Sequence, residues 1–274
     1  MVWLSLTSLF YAMALSGHAN HVLALQAMSP LTLSCVIFLL VLGGILIGTA
    51  FRRALPGHHL SKETQDVVRL GAGLTATIAA LVLGLLIGAA KGSFDTRSSQ
   101  VKQLTANVIL LDNLLAQYGP EANPVRKMLR DAIDPIVGRL WHEKVTAGPF
   151  ATTSEGEKLY LAVYALSPQN DLQRSLQART IQVTNDLVQT RLLLFVEADN
   201  QIPIPFLAIL VFWLFIIFLS FSLFSDLNAT ALVFLCVFGL SASCAIYLIL
   251  ELNEPFRGLM RISDVPLRNA LAPL

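Results

Sequence analysis

The chain has 274 residues, 55% of them hydrophobic and 14% charged, with a formal net charge of +1. A globular domain of average composition is about 25% charged, so this chain is neither disordered nor composed like an ordinary soluble enzyme. The near-zero net charge gives no large basic surface, and nucleic acid is not expected as a partner.

The charged residues divide the sequence. None precedes Arg52, none lies between Arg69 and Lys91, and none lies between Asp199 and Asp226 or between Asp226 and Glu251. A bilayer core about 30 Å thick takes roughly 20 apolar residues per spanning helix. Four stretches reach that length: Leu31–Ala50, Leu70–Ala90, Pro205–Ser225 and Leu227–Leu250. Lipid offers no partner to a free backbone group, so each is expected to be a helix.

Residues 1–27 come first and are open to three readings. They are a lead ahead of a true start at Met28, an interfacial helix, or a signal peptide with Ser16-Gly17-His18-Ala19 as a weak cleavage site. Val2–Ala14 is short for a span and has no Lys or Arg before it. Residues 28–92 then form a first transmembrane hairpin. Its second helix has no proline after Pro56 and is predicted to run unbroken from about Lys62 to Tyr118, roughly 80 Å at 1.5 Å per residue.

Residues 93–202 are predicted to be a helical extramembrane region. Val101, Leu104, Val108, Leu111, Leu115 and Tyr118 recur at steps of 3, 4, 3, 4 and 3, a coiled-coil-like seam. Gly119-Pro120 stops that helix. Asn123-Pro124 is expected to open a helix through about Trp141, and Ser154–Leu166 a second. A third starts with Ser167 as cap and Pro168 in its first position. Leu172, Leu176, Val183, Leu187 and Leu194 are its inner face. Residues 203–252 are the second transmembrane hairpin and 253–274 a tail. Near the span ends, Lys91, Arg97, Lys102, Arg191, Arg257, Arg261 and Arg268 share the side of the central region, against Arg52, Arg53, Lys62 and Arg69 opposite. That balance favours a cytoplasmic central region, although Arg52-Arg53 weighs the other way.

No Gly-x-Gly-x-x-Gly, Walker, Gly-x-Ser-x-Gly or His-Glu-x-x-His pattern is present, so no enzyme and no cofactor is implied. His58-His59 lacks a third ligand and reads as loop. Glu197 and Asp199 read as the watery end of a helix, and Cys35, Cys236 and Cys244 as small apolar residues within spans rather than metal ligands.

Two spans carry Gly-x-x-x-Gly: Gly44 to Gly48 in the first and Gly84 to Gly88 in the second. In the second, Gly73, Thr77, Leu81, Gly84 and Gly88 share a face, with Ala80 beside them. Such a face serves either close helix packing or the wall of a pore assembled from several copies. The span holds no charge, so a pore there would be set by diameter, apolar constriction and backbone or hydroxyl dipoles. In the fourth span Cys236, Ser243, Tyr247, Glu251 and Glu254 form a polar stripe, for packing or for facing water or ions.

Glu251-Leu252-Asn253-Glu254-Pro255-Phe256-Arg257-Gly258, directly after the last span, and Ser61-Lys62-Glu63-Thr64, leading into the second, resemble the bacterial bestrophin-like family over about Met28 to Leu274. That family is similar to bestrophins, which are pentameric chloride channels with an Asn-Pro-Phe-Gly segment after the last span. The resemblance implies an all-α integral membrane protein of the bacterial inner membrane. It would have four transmembrane helices and a helical bundle inserted between the second and third, assembled in the lipid bilayer as a homo-oligomer, a pentamer by resemblance. It implies a channel for small inorganic anions with the second span lining the pore. It also implies that the tail turn, with Glu251, Asn253, Glu254, Pro255, Phe256 and Gly258, braces the bundle. Two departures stand out. Only Asp264 lies beyond Glu254 where bestrophins carry a calcium-binding acidic run, and no aromatic residue lies between Leu70 and Ala90 to form a bulky neck. Narrowing would fall to Ile78, Leu81 or Leu85. The alternative is a non-conducting sensor or scaffold that transmits signals through its helical stalk.

Overall fold

A computed structural model of the chain describes residues 29–55, 61–138, 141, 154–198, 204–224 and 228–270. The lead, His18, His21, His58, His59, His142 and Asp199 lie outside them. Regular structure among the described residues is helical throughout. The α-helices are α1 (Pro30–Ala54), α2 (Lys62–Tyr118), α3 (Asn123–Asp131), α4 (Ile133–Val137), α5 (Ser154–Tyr164), α6 (Asp171–Ala198), α7 (Ile204–Phe224), α8 (Ala229–Leu252) and α9 (Val265–Asn269). Four of them, α1, α2, α7 and α8, are long and apolar enough to cross a membrane. The chain divides into two compact units, 1–87 with 203–250 and 88–202 with 251–274.

In the first unit α1 begins where its sequence says it should. The Ser29 hydroxyl accepts the Thr32 N–H at 3.2 Å, Pro30 occupies the first turn, and Arg52 and Arg53 lie in the last, where the helix dipole favours cations. Its small residues are packing residues. A Cβ on Gly44 would meet the Phe215 ring at 3.1 Å and the Phe215 carbonyl at 3.2 Å. One on Gly48 would meet the Leu219 carbonyl oxygen at 2.7 Å and run into the Ser222 hydroxyl. The backbones of α1 and α7 thus approach at a Gly-x-x-x-Gly seam, around a core of Val41, Ile45 and Phe218 with Leu42, Leu214 and Leu235 packed on it. Gly239 of α8 continues the pattern, 3.0 Å from Val41 Cγ1 by the same test. Of the cysteines, Cys35 on α1 and Cys244 on α8 are exposed on apolar helix surface rather than buried.

In the second unit the predicted seam is the core. Val101, Leu104, Val108, Leu111, Leu115 and Tyr118 are each at most 3% exposed. The first three join Ile133, Val137, Trp141, Leu187, Leu194 and Leu267. The last three join Val125, Leu129, Leu159, Val163 and Val183. α2 stops at Gly119, whose φ of 127° is open to glycine, and Pro120–Ala122 form one 3₁₀ turn.

Three boundaries differ from expectation. The helix expected from Asn123 to Trp141 ends at Asp131 and resumes as α4. Pro135 has no N–H for the Asp131 carbonyl, so the ladder is interrupted one turn upstream. α5 ends at Tyr164, two residues short of Leu166. α6 starts at Asp171 rather than Pro168, because Asn170 and not Ser167 caps it. The Asn170 side chain accepts the Gln173 N–H at 2.7 Å, and the Gln173 side chain accepts the Gln169 N–H at 2.7 Å, a reciprocal arrangement of the capping-box kind. Leu172 then falls in the first turn and is exposed, while Val183, Leu187 and Leu194 are buried as predicted.

One ion pair ties α2 to α3. Arg126 donates from Nε and Nη2 to the two Asp112 oxygens at 2.9 and 2.7 Å, with both side chains mostly shielded. The hydrogen bonds from Arg126 hold the Asp112 carboxyl below its ordinary range, against the opposing effect of burial.

Gly48→Ala is expected to destabilise the detergent-solubilised protein by about 1–3 kcal/mol through overpacking, read as a lower thermal midpoint. Gly84→Ala has open space around it and should not lower the midpoint. Asp112→Asn should cost about 1.5–3 kcal/mol near neutral pH. Because the folded pKa is depressed, that stabilisation is complete above about pH 4, the unfolded value, and is lost as pH falls through the folded one. The gap between wild type and variant in urea melts should therefore close in acid.

Candidate functional site: the small-residue face of α2 and the tail turn

Gly73, Thr77, Leu81, Gly84 and Gly88 are all exposed. At 100° per residue they fall within one quadrant of α2. Among the described residues, nothing lies within 4 Å of a Cβ built on Gly73, Gly84 or Gly88. On the opposite side of the same stretch Ala72, Ala79, Leu86 and Ala90 are buried. The helix therefore packs within its own chain through one face and leaves the small-residue face uncovered. The two Gly-x-x-x-Gly segments, alike in sequence, are unlike in place: Gly44 and Gly48 are in contact, Gly84 and Gly88 are not.

The exposed face has little polarity. The Thr77 hydroxyl donates to the Gly73 carbonyl at 3.0 Å, so its O–H is spent on its own helix. Leu81 is 70% exposed and is the bulkiest of the five residues.

The tail turn is built differently. The Glu251 side chain, at the end of α8, is 3% exposed. Its carboxylate accepts the Leu259 N–H, and also the Met260 N–H at 3.2 Å. Gly258, with φ of 83°, passes directly over that carboxyl group. A Cβ there would lie 2.7 Å from the Glu251 carboxyl carbon, so both the backbone conformation and the space require glycine. The turn is closed from within by Glu254 N–H to the Glu251 carbonyl and Arg257 N–H to the Glu254 carbonyl, each 3.1 Å, and by Ile262 N–H to the Pro255 carbonyl at 2.7 Å. The Asn253 carbonyl accepts from Arg97 Nη1 at 3.2 Å. Trp141 Nε1 donates to the Ile262 carbonyl at 2.7 Å, and its ring meets Phe256 edge-on, centroids 5.2 Å apart. Arg268 pairs with Asp264 at 2.6 Å, and its hydrogen bond holds the Asp264 carboxyl below the ordinary range.

Glu251, Asn253, Glu254, Pro255, Phe256 and Gly258 thus come together in one motif. The fourth-span stripe turns inward. Ser243 and Glu251 are buried, and Cys236, Tyr247 and Glu254 are partly so. The Glu251 carboxylate meets backbone N–H groups rather than water. Arg97 and Trp141 belong to the motif and carry sequence signals of their own. Arg97 lies one step of four before Val101 on the apolar seam, where a charge needs a buried partner, and Trp141 is the one tryptophan in residues 93–202.

The family model of the Bestrophin-like domain matches residues 38–267, and the chain belongs to that family. Two solved structures of a bacterial bestrophin homologue from Klebsiella pneumoniae, each carrying a mutation, share its fold at 14% identity. One matches with a TM-score of 0.62 over 86% of this chain and 97% of that one. The other matches with 0.59 over 84% and 97%. A search of curated proteins returns no match. With four apolar helices and this family, the chain is a membrane protein.

Glu251→Ala strands two part-buried backbone N–H groups and is expected to cost about 1–3 kcal/mol in all. Gly258→Ala should loosen the same turn through strain of about 1–3 kcal/mol. Both should quicken proteolysis within residues 255–264 and shift Trp141 fluorescence, while Ser263→Ala, at an exposed position of the same turn, should do neither.

Proposed function

We propose that the chain forms a homo-oligomeric ion channel in the bacterial inner membrane. α1, the apolar part of α2, α7 and α8 span the bilayer, residues 93–202 make a cytoplasmic helical region, and the tail turn braces it. The observation that carries this reading is the uncovered face of Gly73, Thr77, Leu81, Gly84 and Gly88. If packing within the chain were its purpose, those glycines would have neighbours, as Gly44 and Gly48 do. Set around an axis by several copies, five by family resemblance, the same face becomes a smooth, uncharged wall. Small inorganic anions are the proposed cargo, on the strength of the family. With the Thr77 O–H already used, such a wall conducts or closes by width and wetting, and Leu81 is its narrowest point.

The full-length protein, purified and reconstituted in liposomes, is expected to release chloride above the rate of empty vesicles. Leu81→Thr, which eases wetting, should raise the flux, and Gly84→Phe, which fills the lumen, should lower it by roughly an order of magnitude. Absence of flux together with a monomeric or dimeric particle would favour a non-conducting scaffold instead.

A further inference from the structure

The tail turn sorts its apolar residues into two kinds. Phe256 and Ile262 pack against the cluster that holds Val101, Leu104 and Trp141. Leu259 and Met260, between them in the chain, stay out of it and are 83% and 45% exposed. Leu259 is the most exposed large apolar side chain among the described residues. The next in order are Leu70, Val67 and Leu81, all on α2 at or next to its apolar stretch. The exposure is built into the turn. The Leu259 and Met260 N–H groups are both held by the Glu251 carboxylate, and Gly258 at φ 83° sets the bend ahead of them. Arg257 and Arg261 flank Gly258-Leu259-Met260, the first half-buried and the second exposed. Of the acidic residues nearby, Glu251 is enclosed by the turn, Glu254 is half-buried and Asp264 is engaged with Arg268.

Two continuous helices give the level of this turn. Glu251, whose carboxylate holds it, is the first charge after the apolar run of α8. The Asn253 carbonyl is bonded to Arg97, seven residues past Ala90 on α2, or about 10 Å along the axis. Headgroups add about 5–8 Å to each side of the hydrocarbon. We propose that Leu259 and Met260 dip into the bilayer surface and that Arg261 meets anionic headgroups there, so that the tail turn anchors the helical region to lipid. This rests on the reading that α2 and α8 cross the bilayer. An apolar pair bounded by cations suits that boundary, because the side chains leave water while the guanidinium stays level with phosphate. Arg97 and Trp141, which bind the turn, then couple the helical region to the membrane surface.

The test is tryptophan depth in the full-length protein, reconstituted in vesicles of phosphatidylcholine with phosphatidylglycerol and measured as the difference from the parent protein. Leu259→Trp fluorescence should be quenched by phospholipid brominated near the headgroup end of its chains and shielded from aqueous acrylamide. Met260→Trp should behave alike. Leu172→Trp should do the reverse. Leu172 is 68% exposed at the start of α6, where Gln173 is bonded to the Tyr118 carbonyl, about 42 Å past Ala90 along α2. Brominated phosphatidylglycerol should quench Leu259→Trp more than brominated phosphatidylcholine at the same mole fraction, and adding Arg261→Gln should lower that preference roughly fivefold. Tryptophans at 259 and 260 as open to acrylamide as Leu172→Trp, equal quenching by the two lipids, or a preference that Arg261→Gln leaves unchanged would overturn the assignment. So would shielding from acrylamide without quenching by lipid, the result expected if a second copy covers the turn. Wild-type protein released from the vesicles by alkaline carbonate would remove the spanning reading itself, and this one with it.

Discussion

A helix that enters lipid must keep every backbone hydrogen bond to itself, and α2 keeps that ladder for 57 residues. The consequence is more than length. The same helix also meets its own chain differently in each unit. α2 carries two different inner seams along its length. The first is sparse, with Ala72, Ala79 and Leu86 buried at steps of seven. The second is dense, beginning at Val101 and filling two clusters.

Glycine is where sequence pattern and physical role separate. A missing side chain permits close approach but does not cause it. In α1 the approach occurs, because α7 brings carbonyl oxygens and a serine to within the volume a methyl group would need. In α2 the same spacing faces open space. At Gly258 the requirement has a third origin, since the backbone is left-handed and a buried carboxylate lies directly beneath it. Spacing alone cannot distinguish these cases, because it records what is absent from a residue and not what surrounds it.

The features legible in the sequence are those governed by long apolar periodicity. The four membrane-length helices, the extent of α2 and the seam from Val101 to Tyr118 all follow from runs in which every residue votes the same way. Local competition was less legible. Ser167-Pro168 has the form of a helix start, yet Asn170 with Gln173 makes a better one three residues later. Pro135 divides the helix after Asn123 because a lost N–H acts one turn upstream of the proline itself. Leu172 kept the apolar period and still lies exposed, because the helix had barely begun. The tail motif could be recognised from Glu251 to Gly258, but not its partners. Arg97 and Trp141 are 156 and 121 residues away from the carbonyls they bind, and no local rule connects such positions.

The residues of the tail turn depend on one another. A carboxylate buried at 3% exposure is tolerable only if its oxygens are met by donors. Those donors are N–H groups of a turn whose left-handed residue, Gly258, favours glycine. The carbonyls that the turn leaves over at Asn253 and Ile262 are in turn met by Arg97 and Trp141. Each element thus supports the next, and replacing Glu251, Arg97 or Trp141 leaves a part-buried polar group without its partner, at a cost of about 1–3 kcal/mol. The apolar spans face no such condition. Leu, Ile, Val and Phe exchange there at small cost as long as volume and period are kept. The apolar helices are therefore specified by length and absence of charge, and the tail turn by particular residues that support one another.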